Sequence, residues 1–354
     1  MRLTALIAAL AASVTAVACA EAQELPRRPG AVNETYPGVE VIYTSAPDSK
    51  GNDMRVIVTK PTGAGKFATV FVAGWLSCDS IEAPPTTRDP SGLVFRAIAQ
   101  TPGFALVRMD KAGIGDSEGD CAATDFNTEL TAYRAAFRKM RSMDFVDPNR
   151  VFVLGISNGG GYAPLVAEGA PVAGYITVGG WSRTWYEHML EIERNRYVLD
   201  GKTPAEIPTL VSRSATLYHD VLIKGRAPDA VIKADPALRP AWDSETTTTL
   251  YGRPVAYYQQ LQALNLTEAW SKVRVPALVL WGEFDWIMSR RDSEGIVSHI
   301  NANTPGAAQL IVLPKAGHTM QNYPDQQTAF NGRQGPFDHS IATRITDWLK
   351  ARAR

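Results

Sequence analysis

Residues 153–161 read Val153-Leu154-Gly155-Ile156-Ser157-Asn158-Gly159-Gly160-Gly161, and Gly155 to Gly159 fit the pattern G-x-S-x-G. What surrounds the pattern gives it meaning. Residues 151–154 form a short apolar run suited to a buried parallel strand, and residues 162–168 can continue as a helix. A serine on so sharp a strand-to-helix turn takes a strained backbone conformation that exposes its hydroxyl. Gly155 and Gly159 leave room for the turn to close, since a Cβ at either place would strike neighbouring backbone. The segment is therefore read as a nucleophile on a sharp elbow, with Ser157 as the attacking residue.

A nucleophilic serine needs a base, and the base needs an acid to orient it. Downstream, residues 275–281 read as another buried strand that runs into Gly282-Glu283-Phe284-Asp285. A carboxylate just past the C-terminal end of a strand lies on the edge where open α/β sheets bind ligands. Asp285 is the candidate acid, with Glu283 as the alternative. A helix-like stretch follows at 291–301, then a strand at 308–313 and the turn Pro314-Lys315-Ala316-Gly317-His318. Of the five histidines, His188 and His219 precede the acid, His299 falls within a helix, and His339 opens the last helix at 341–352. Only His318 sits in a turn directly after a strand beyond Asp285, so it is the candidate base.

Five segments share one order along the chain: Gly74-Trp75 after a strand at 68–73, the stretch from Asp110 to Gly119 (DKAGIGDSEG), the elbow, Gly282 to Asp285, and Gly317-His318. From about residue 38 onward the chain resembles the α/β-hydrolase superfamily, whose members carry nucleophile, acid and base in this order. The resemblance implies a mostly parallel central sheet flanked by helices, and a serine nucleophile. It also implies an oxyanion hole made by the backbone N–H groups of Trp75 and Asn158. Many relatives have His-Gly at that loop where this chain has Ala73-Gly74-Trp75-Leu76. Backbone donors survive such a change, so it bears on pocket shape more than on the hole itself.

The chain has 354 residues, 45% of them hydrophobic, which is ample for a core and rules out disorder for its bulk. Acidic and basic residues balance at 36 each, which argues against nucleic acid or an anionic membrane as a standing partner. A small-molecule ester or amide is the expected partner. No cofactor is expected, and no Cys/His cluster has metal-ligand spacing.

Met1-Arg2-Leu3 and the apolar run at 4–18 have the charge and length of a signal peptide. Ala20-Glu21-Ala22 supplies a small-x-small cleavage site, so residues 1–22 are expected to be removed on export. A lipoprotein anchored through Cys19 is the alternative, because residues 16–19 loosely resemble a lipobox. A membrane-spanning helix is disfavoured by the short run. Export leaves Cys78 and Cys121, an even pair in an oxidising compartment. In the fold the resemblance implies, their loops are neighbours on the active-site edge. A Cys78–Cys121 disulfide is expected, with two free buried cysteines as the alternative.

Residues 23–37 are polar and carry proline, and read as a loose arm. Strands and helices alternate through 172–180, and the core resumes at 275. Residues 38–180 and 271–354 are thus assigned to the core, and 181–270 to a helical cap. In the cap, Trp181, Trp185 and Tyr186 are candidate pocket aromatics. Glu187 and Glu191 are candidate carboxylates for a substrate amine. The expected activity is hydrolysis of carboxylic esters through an acyl-enzyme. An aminopeptidase or amidase using the cap carboxylates is the second reading, and a catalytically degenerate binding protein the third. Carbon–carbon cleavage by the same three residues is a smaller alternative.

Overall fold

The computed structural model describes residue 31, residues 33–332 and residues 335–354. The expected leader at 1–22, Cys19 included, lies outside the described residues. Among the described residues no helix is long and apolar enough to cross a membrane.

The chain opens with an antiparallel hairpin, β1 (Val39–Pro47) and β2 (Asp53–Pro61), followed by β3 (Phe67–Ala73), β4 (Phe104–Met109), β5 (Val146–Ile156) and β6 (Gly174–Val178). A two-stranded ribbon, β7 (Thr249–Leu250) and β8 (Arg253–Pro254), stands apart in the cap. Then come β9 (Ala277–Gly282) and β10 (Ala308–Leu313). The eight-stranded sheet has the order β1-β2-β4-β3-β5-β6-β9-β10. It is antiparallel at β1–β2 and β2–β4 and parallel from β4 to β10. Strands β4, β6 and β9 are buried at every position, which is why they read as unbroken apolar runs rather than alternating ones. Strand β5 reaches back to Val146, beyond the apolar run at 151–154, because Val146 pairs with Phe67 across a register shift.

Helices α1 (Pro90–Ala99), α2 (Phe126–Arg141) and α3 (Asn158–Val166) alternate with the first parallel strands. The cap contributes α4 (Trp185–Leu199), α5 (Ile207–Tyr218), α6 (Pro228–Ala234) and α7 (Val255–Gln262). The core closes with α8 (Leu266–Ser271), α9 (Arg290–Asn301), α10 (Gln326–Phe330) and α11 (His339–Arg352). One face of the sheet packs Val70, Leu106 and Leu154 against Phe95 and Ile98 of α1 and Leu349 of α11. The other packs Phe71 and Val153 against Phe137, Tyr162 and Ile296, and this layer runs on into cap residues Trp185, Leu217 and Tyr258. Cap and core thus share one apolar interior. Helix α8 already belongs to the core side, since the Trp270 indole donates to the Gly161 carbonyl at 3.0 Å.

Two local expectations change. Helix α3 starts at Asn158, directly on the serine, rather than at residue 162, because the elbow leaves no room for a loop. The stretch read as a loose arm is docked at its end. Glu34 and Arg108 form a buried ion pair at 2.5 Å, and the Tyr36 hydroxyl bonds the Ala83 carbonyl. A buried guanidinium needs a carboxylate, and this one draws it from the arm.

The stretch from Asp110 to Gly119 is built around a second buried guanidinium. Arg55 Nε donates to Asp110 Oδ2 at 2.7 Å, and its Nη1 donates to Glu82 at 2.7 Å and to Asp116 at 2.9 Å. This cluster ties β2 to the loops after β3 and β4, the edge where the site lies.

Candidate active site

In a parallel sheet the C-terminal ends of the strands share one edge, and the three candidate residues follow β5, β9 and β10 there. Ser157 has φ 54° and ψ −123°, a left-handed conformation that non-glycine residues avoid at a cost on the order of 1–3 kcal/mol. The elbow glycines enforce it. A Cβ on Gly155 would meet the Gly159 carbonyl oxygen at 2.5 Å, and one on Gly159 would overlap the carbonyls of Ala73 and Gly74. Ser157 Oγ lies 2.9 Å from His318 Nε2, and His318 Nδ1 lies 2.9 Å from Asp285 Oδ2. The other Asp285 oxygen, Oδ1, accepts the backbone N–H groups of Ile287 at 3.0 Å and Met288 at 2.8 Å. Burial pushes the His318 imidazole down, but the charge and hydrogen bond of Asp285 outweigh it and leave the pKa above the ordinary histidine value. The arrangement can pass a proton from a serine hydroxyl to an imidazole held by a carboxylate.

Glu283 does something else. Its carboxylate accepts the Lys315 N–H at 2.9 Å, which fixes the turn before His318 rather than the imidazole.

Trp75 follows the end of β3, beside the elbow. The loop is held from beneath: Gly74 N–H donates to the Tyr133 hydroxyl at 3.2 Å, and the Tyr162 hydroxyl donates to the Gly74 carbonyl at 3.1 Å. Asn158 is fully buried. Its carbonyl and side-chain oxygens both accept the Trp181 indole N–H at 3.1 Å. Its side-chain NH₂ donates to Tyr257 Oη at 3.0 Å, and Tyr257 in turn donates to Glu129 at 3.2 Å. The chain of contacts ends at Arg253, which pairs with Glu129.

Cys78 and Cys121 form a disulfide with Cα atoms 6.0 Å apart, joining the loop after β3 to the loop after β4. Lys111, also after β4, is buried beneath the same loop. Its ammonium donates to the Ser77 carbonyl at 3.0 Å and lies 5.6 Å from the centre of the Trp75 ring. Burial pushes its pKa down to about 8.

Ser157, Asn158 and His318 open into a cavity of about 750 Å³. Its walls include Trp185, Met189, Ile192, Trp286 and Met288, with Asp79, Arg88, Asp89, Arg196 and Asp243 as the charged groups. That volume suits a ligand far larger than acetate. Among the described residues no group of three or more His, Cys, Asp and Glu side chains is placed to hold a metal ion.

A family model described as serine aminopeptidase, S33, matches residues 94–325, about two thirds of the chain. The chain belongs to the serine aminopeptidase S33 family of α/β hydrolases. The quorum-quenching protein AidA of Acinetobacter baumannii (strain MDR-ZJ06) is 41% identical over 66 residues, which are 18% of this chain and 22% of AidA. The S33 chain thus aligns with under a quarter of that relative's length. Est1E from Butyrivibrio proteoclasticus, solved with ferulic acid bound, superposes with a TM-score of 0.56 at 16% identity, over 88% of this chain and 98% of its own. An esterase of Pyrococcus furiosus gives 0.54 at 12% identity over 94% and 98%. The esterase domain of a Rhodothermus marinus protein gives 0.53 at 15% over 89% and 100%. At these identities the likeness is one of fold.

Of the cap candidates in this S33 chain, only Trp185 lines the cavity. Trp181 is fully buried behind the elbow, bonded to Asn158. Tyr186 donates to the Ala215 carbonyl at 3.3 Å and so packs α4 on α5. Glu187 is exposed and closes a capping box with Thr184, its carboxylate accepting the Thr184 N–H at 3.1 Å. Glu191 pairs with Arg183, which also holds Asp292. Neither glutamate is on the cavity wall, so both are placed away from any substrate amine there. The Thr184-x-x-Glu187 spacing is itself a helix-start signature that accounts for Glu187.

Sequence reasoning missed several residues around the site. Asp292 accepts both the backbone and the guanidinium of Arg183 and so ties the start of the cap to the segment after Asp285. His188 is buried on the cavity wall with its ring against those of Trp181 and Trp185 and its Nδ1 3.7 Å from Asp292 Oδ2. Ser289-x-x-Asp292 is itself a helix-start pattern, but nothing local marks the pairing of Asp292 with Arg183, which comes from a distant segment.

Proposed function

We propose that this protein is an exported serine hydrolase that cleaves carboxylic esters through an acyl-enzyme on Ser157. The observation that carries the reading is the continuous relay Ser157–His318–Asp285, at 2.9 Å per step, on the surface of a largely apolar cavity. In this reading His318 Nε2 accepts the Ser157 proton as Oγ attacks the ester carbonyl. The amides of Trp75 and Asn158 stabilise the oxyanion, and the alcohol leaves with the proton from His318. Water, deprotonated by the same imidazole, then releases the acid. Asp285 keeps the proton of the neutral ring on Nδ1 and stabilises the imidazolium. The bonded cysteine pair and the apolar leader favour export.

The test is Ser157→Ala together with a fluorophosphonate. The variant is expected to lose at least ~10³-fold in kcat on p-nitrophenyl esters while remaining folded, and mass spectrometry should place the adduct of the parent protein on Ser157. An adduct on another serine, or normal turnover by the variant, would refute the assignment. Absence of any labelling would favour a non-catalytic binding protein.

The S33 family description favours a second reading, an aminopeptidase, and the cavity supplies Asp79, Asp89 and Asp243 as carboxylates for a substrate amine. Against it, the Asp79 carboxylate already accepts the Ser77 hydroxyl at 2.5 Å, and that of Asp89 caps α1. Comparing p-nitrophenyl esters with aminoacyl-naphthylamides decides between the two. The ester reading requires the esters to turn over much faster.

A further inference from the structure

The ribbon β7–β8 pairs Thr249 with Pro254 and Leu250 with Arg253, leaving Tyr251-Gly252 as a two-residue turn. Both turn residues have positive φ, +46° for Tyr251 and +74° for Gly252, as in a type I′ hairpin. Asn, Asp and Gly are favoured at the first of these places, and a tyrosine there is a strained choice. The surroundings hold it in place. Leu250 is buried and its carbonyl accepts the Tyr258 hydroxyl at 2.5 Å. Arg253 is fully buried, paired with Glu129 and 3.7 Å from Cys78 Sγ, and the Gly252 carbonyl oxygen lies 3.9 Å from the same sulfur. The turn is therefore fixed against the disulfide that follows the Trp75 loop.

The strained conformation has one visible result. Tyr251 is 37% exposed, and it lines the cavity that holds Ser157 and His318. Val198 and Ile223, the other large apolar side chains exposed among the described residues, do not line it. A tyrosine phenol ionises only at about pH 10, so the ring is neutral at neutral pH. A neutral aromatic ring on a cavity that also contains Trp185 and Trp286 is suited to an apolar, and above all an aromatic, group.

We infer that Tyr251 is a specificity-determining residue, the cap-side wall on which the aromatic or bulky apolar part of the ester packs. This rests on the ester reading above. Strain that a simple Asn-Gly or Gly-Gly turn would avoid is retained because it delivers the ring to the substrate.

The experiment compares Tyr251→Phe, Tyr251→Ala and Tyr251→Asn on p-nitrophenyl acetate and p-nitrophenyl 4-phenylbutyrate, with melting temperatures recorded for each. Loss of the ring in Tyr251→Ala should raise KM for the phenylbutyrate about tenfold or more, with a change of at most about threefold for acetate and in either kcat. Tyr251→Phe should restore parent KM values. Tyr251→Asn should behave as the alanine variant in KM yet melt above the parent, because asparagine tolerates the left-handed region. Equal changes on both esters, an effect confined to kcat, or a Tyr251→Asn melting point below the parent's would overturn the proposal. Calorimetric titration of 4-phenylbutyrate into Ser157→Ala, with and without Tyr251→Ala, reads the wall without turnover. About tenfold weaker binding is expected in the double variant, whereas equal affinity, or no binding to either, would overturn the assignment. If the parent hydrolyses neither ester, the ester reading falls, while this titration still decides the role of Tyr251.

Discussion

Replacing Asp285 with asparagine tests the relay at the group that sets the histidine tautomer. In the parent protein Oδ1 accepts two backbone N–H groups, from Ile287 and Met288, while Oδ2 accepts His318 Nδ1–H. An asparagine has one oxygen for these two places. With that oxygen on the backbone pair, its NH₂ faces Nδ1, which must then be unprotonated. The imidazole proton moves to Nε2, opposite Ser157 Oγ, where a base needs a lone pair. The opposite amide orientation restores the tautomer but turns an NH₂ onto two N–H groups, that of Met288 buried and that of Ile287 half-buried. Leaving those donors unpaired costs about 1–3 kcal/mol each, so the competent arrangement lies about 2–6 kcal/mol higher and kcat falls about 30- to 10⁴-fold. The carboxylate charge that lifts the His318 pKa is also lost, so the acid limb of kcat/KM should move to lower pH, since activity needs the neutral imidazole. The assay is p-nitrophenyl butyrate hydrolysis between pH 5 and 9, with fluorophosphonate labelling rates as a second readout. Activity within tenfold of the parent, or a larger loss from Glu283→Gln, would refute the reasoning and transfer the role to Glu283.

Replacing both Cys78 and Cys121 with serine should lower stability by about 4 kcal/mol, the chain-entropy value for a loop of this size, read by urea unfolding of the oxidised parent and the variant. Quantitative thiol labelling of the unfolded, unreduced parent would refute the bond outright. Lys111→Met should be relatively most stabilising at neutral pH. The native state releases the Lys111 proton near pH 8, whereas the unfolded chain holds it to about 10.5. Between those values the unfolded state binds more protons, so this group makes stability rise with pH. The parent should therefore gain about 2 kcal/mol on the variant between pH 7 and pH 9.5, checked by unfolding both at each pH, and a constant gap would show that the ammonium is not desolvated.

Much of the site was legible in sequence because each catalytic candidate is a local event on a common frame. Ser157 and Asp285 follow closely on buried strands and His318 on the half-buried edge strand β10, each of which announces itself by an apolar run. A parallel sheet gathers the ends of such strands on one edge whatever the intervening lengths. The elbow glycines are equally local, since the backbone that excludes a Cβ lies mostly within the turn and the adjoining β3 end. The disulfide was legible through the resemblance, which implies that the loops of Cys78 and Cys121 are neighbours on that edge.

The cap was not legible in that way. Its helices present aromatic and charged residues on several sides, and only their docking on the sheet decides which side meets the cavity. That docking turned Trp181 into a buried partner of Asn158 and left Glu187 and Glu191 on other duties. It likewise exposed Tyr251, two residues beyond a threonine-rich stretch with no helical or strand period to single it out. The arm behaved similarly, because Glu34 is fixed by Arg108, a residue 74 positions away. Thus the sequence by itself determined the parallel strands that lead into the site, the elbow and the order of the candidate nucleophile, acid and base, all of which depend on short-range backbone geometry. The tertiary structure alone decided which side chains line the cavity, because burial and pairing there join segments that no periodicity connects.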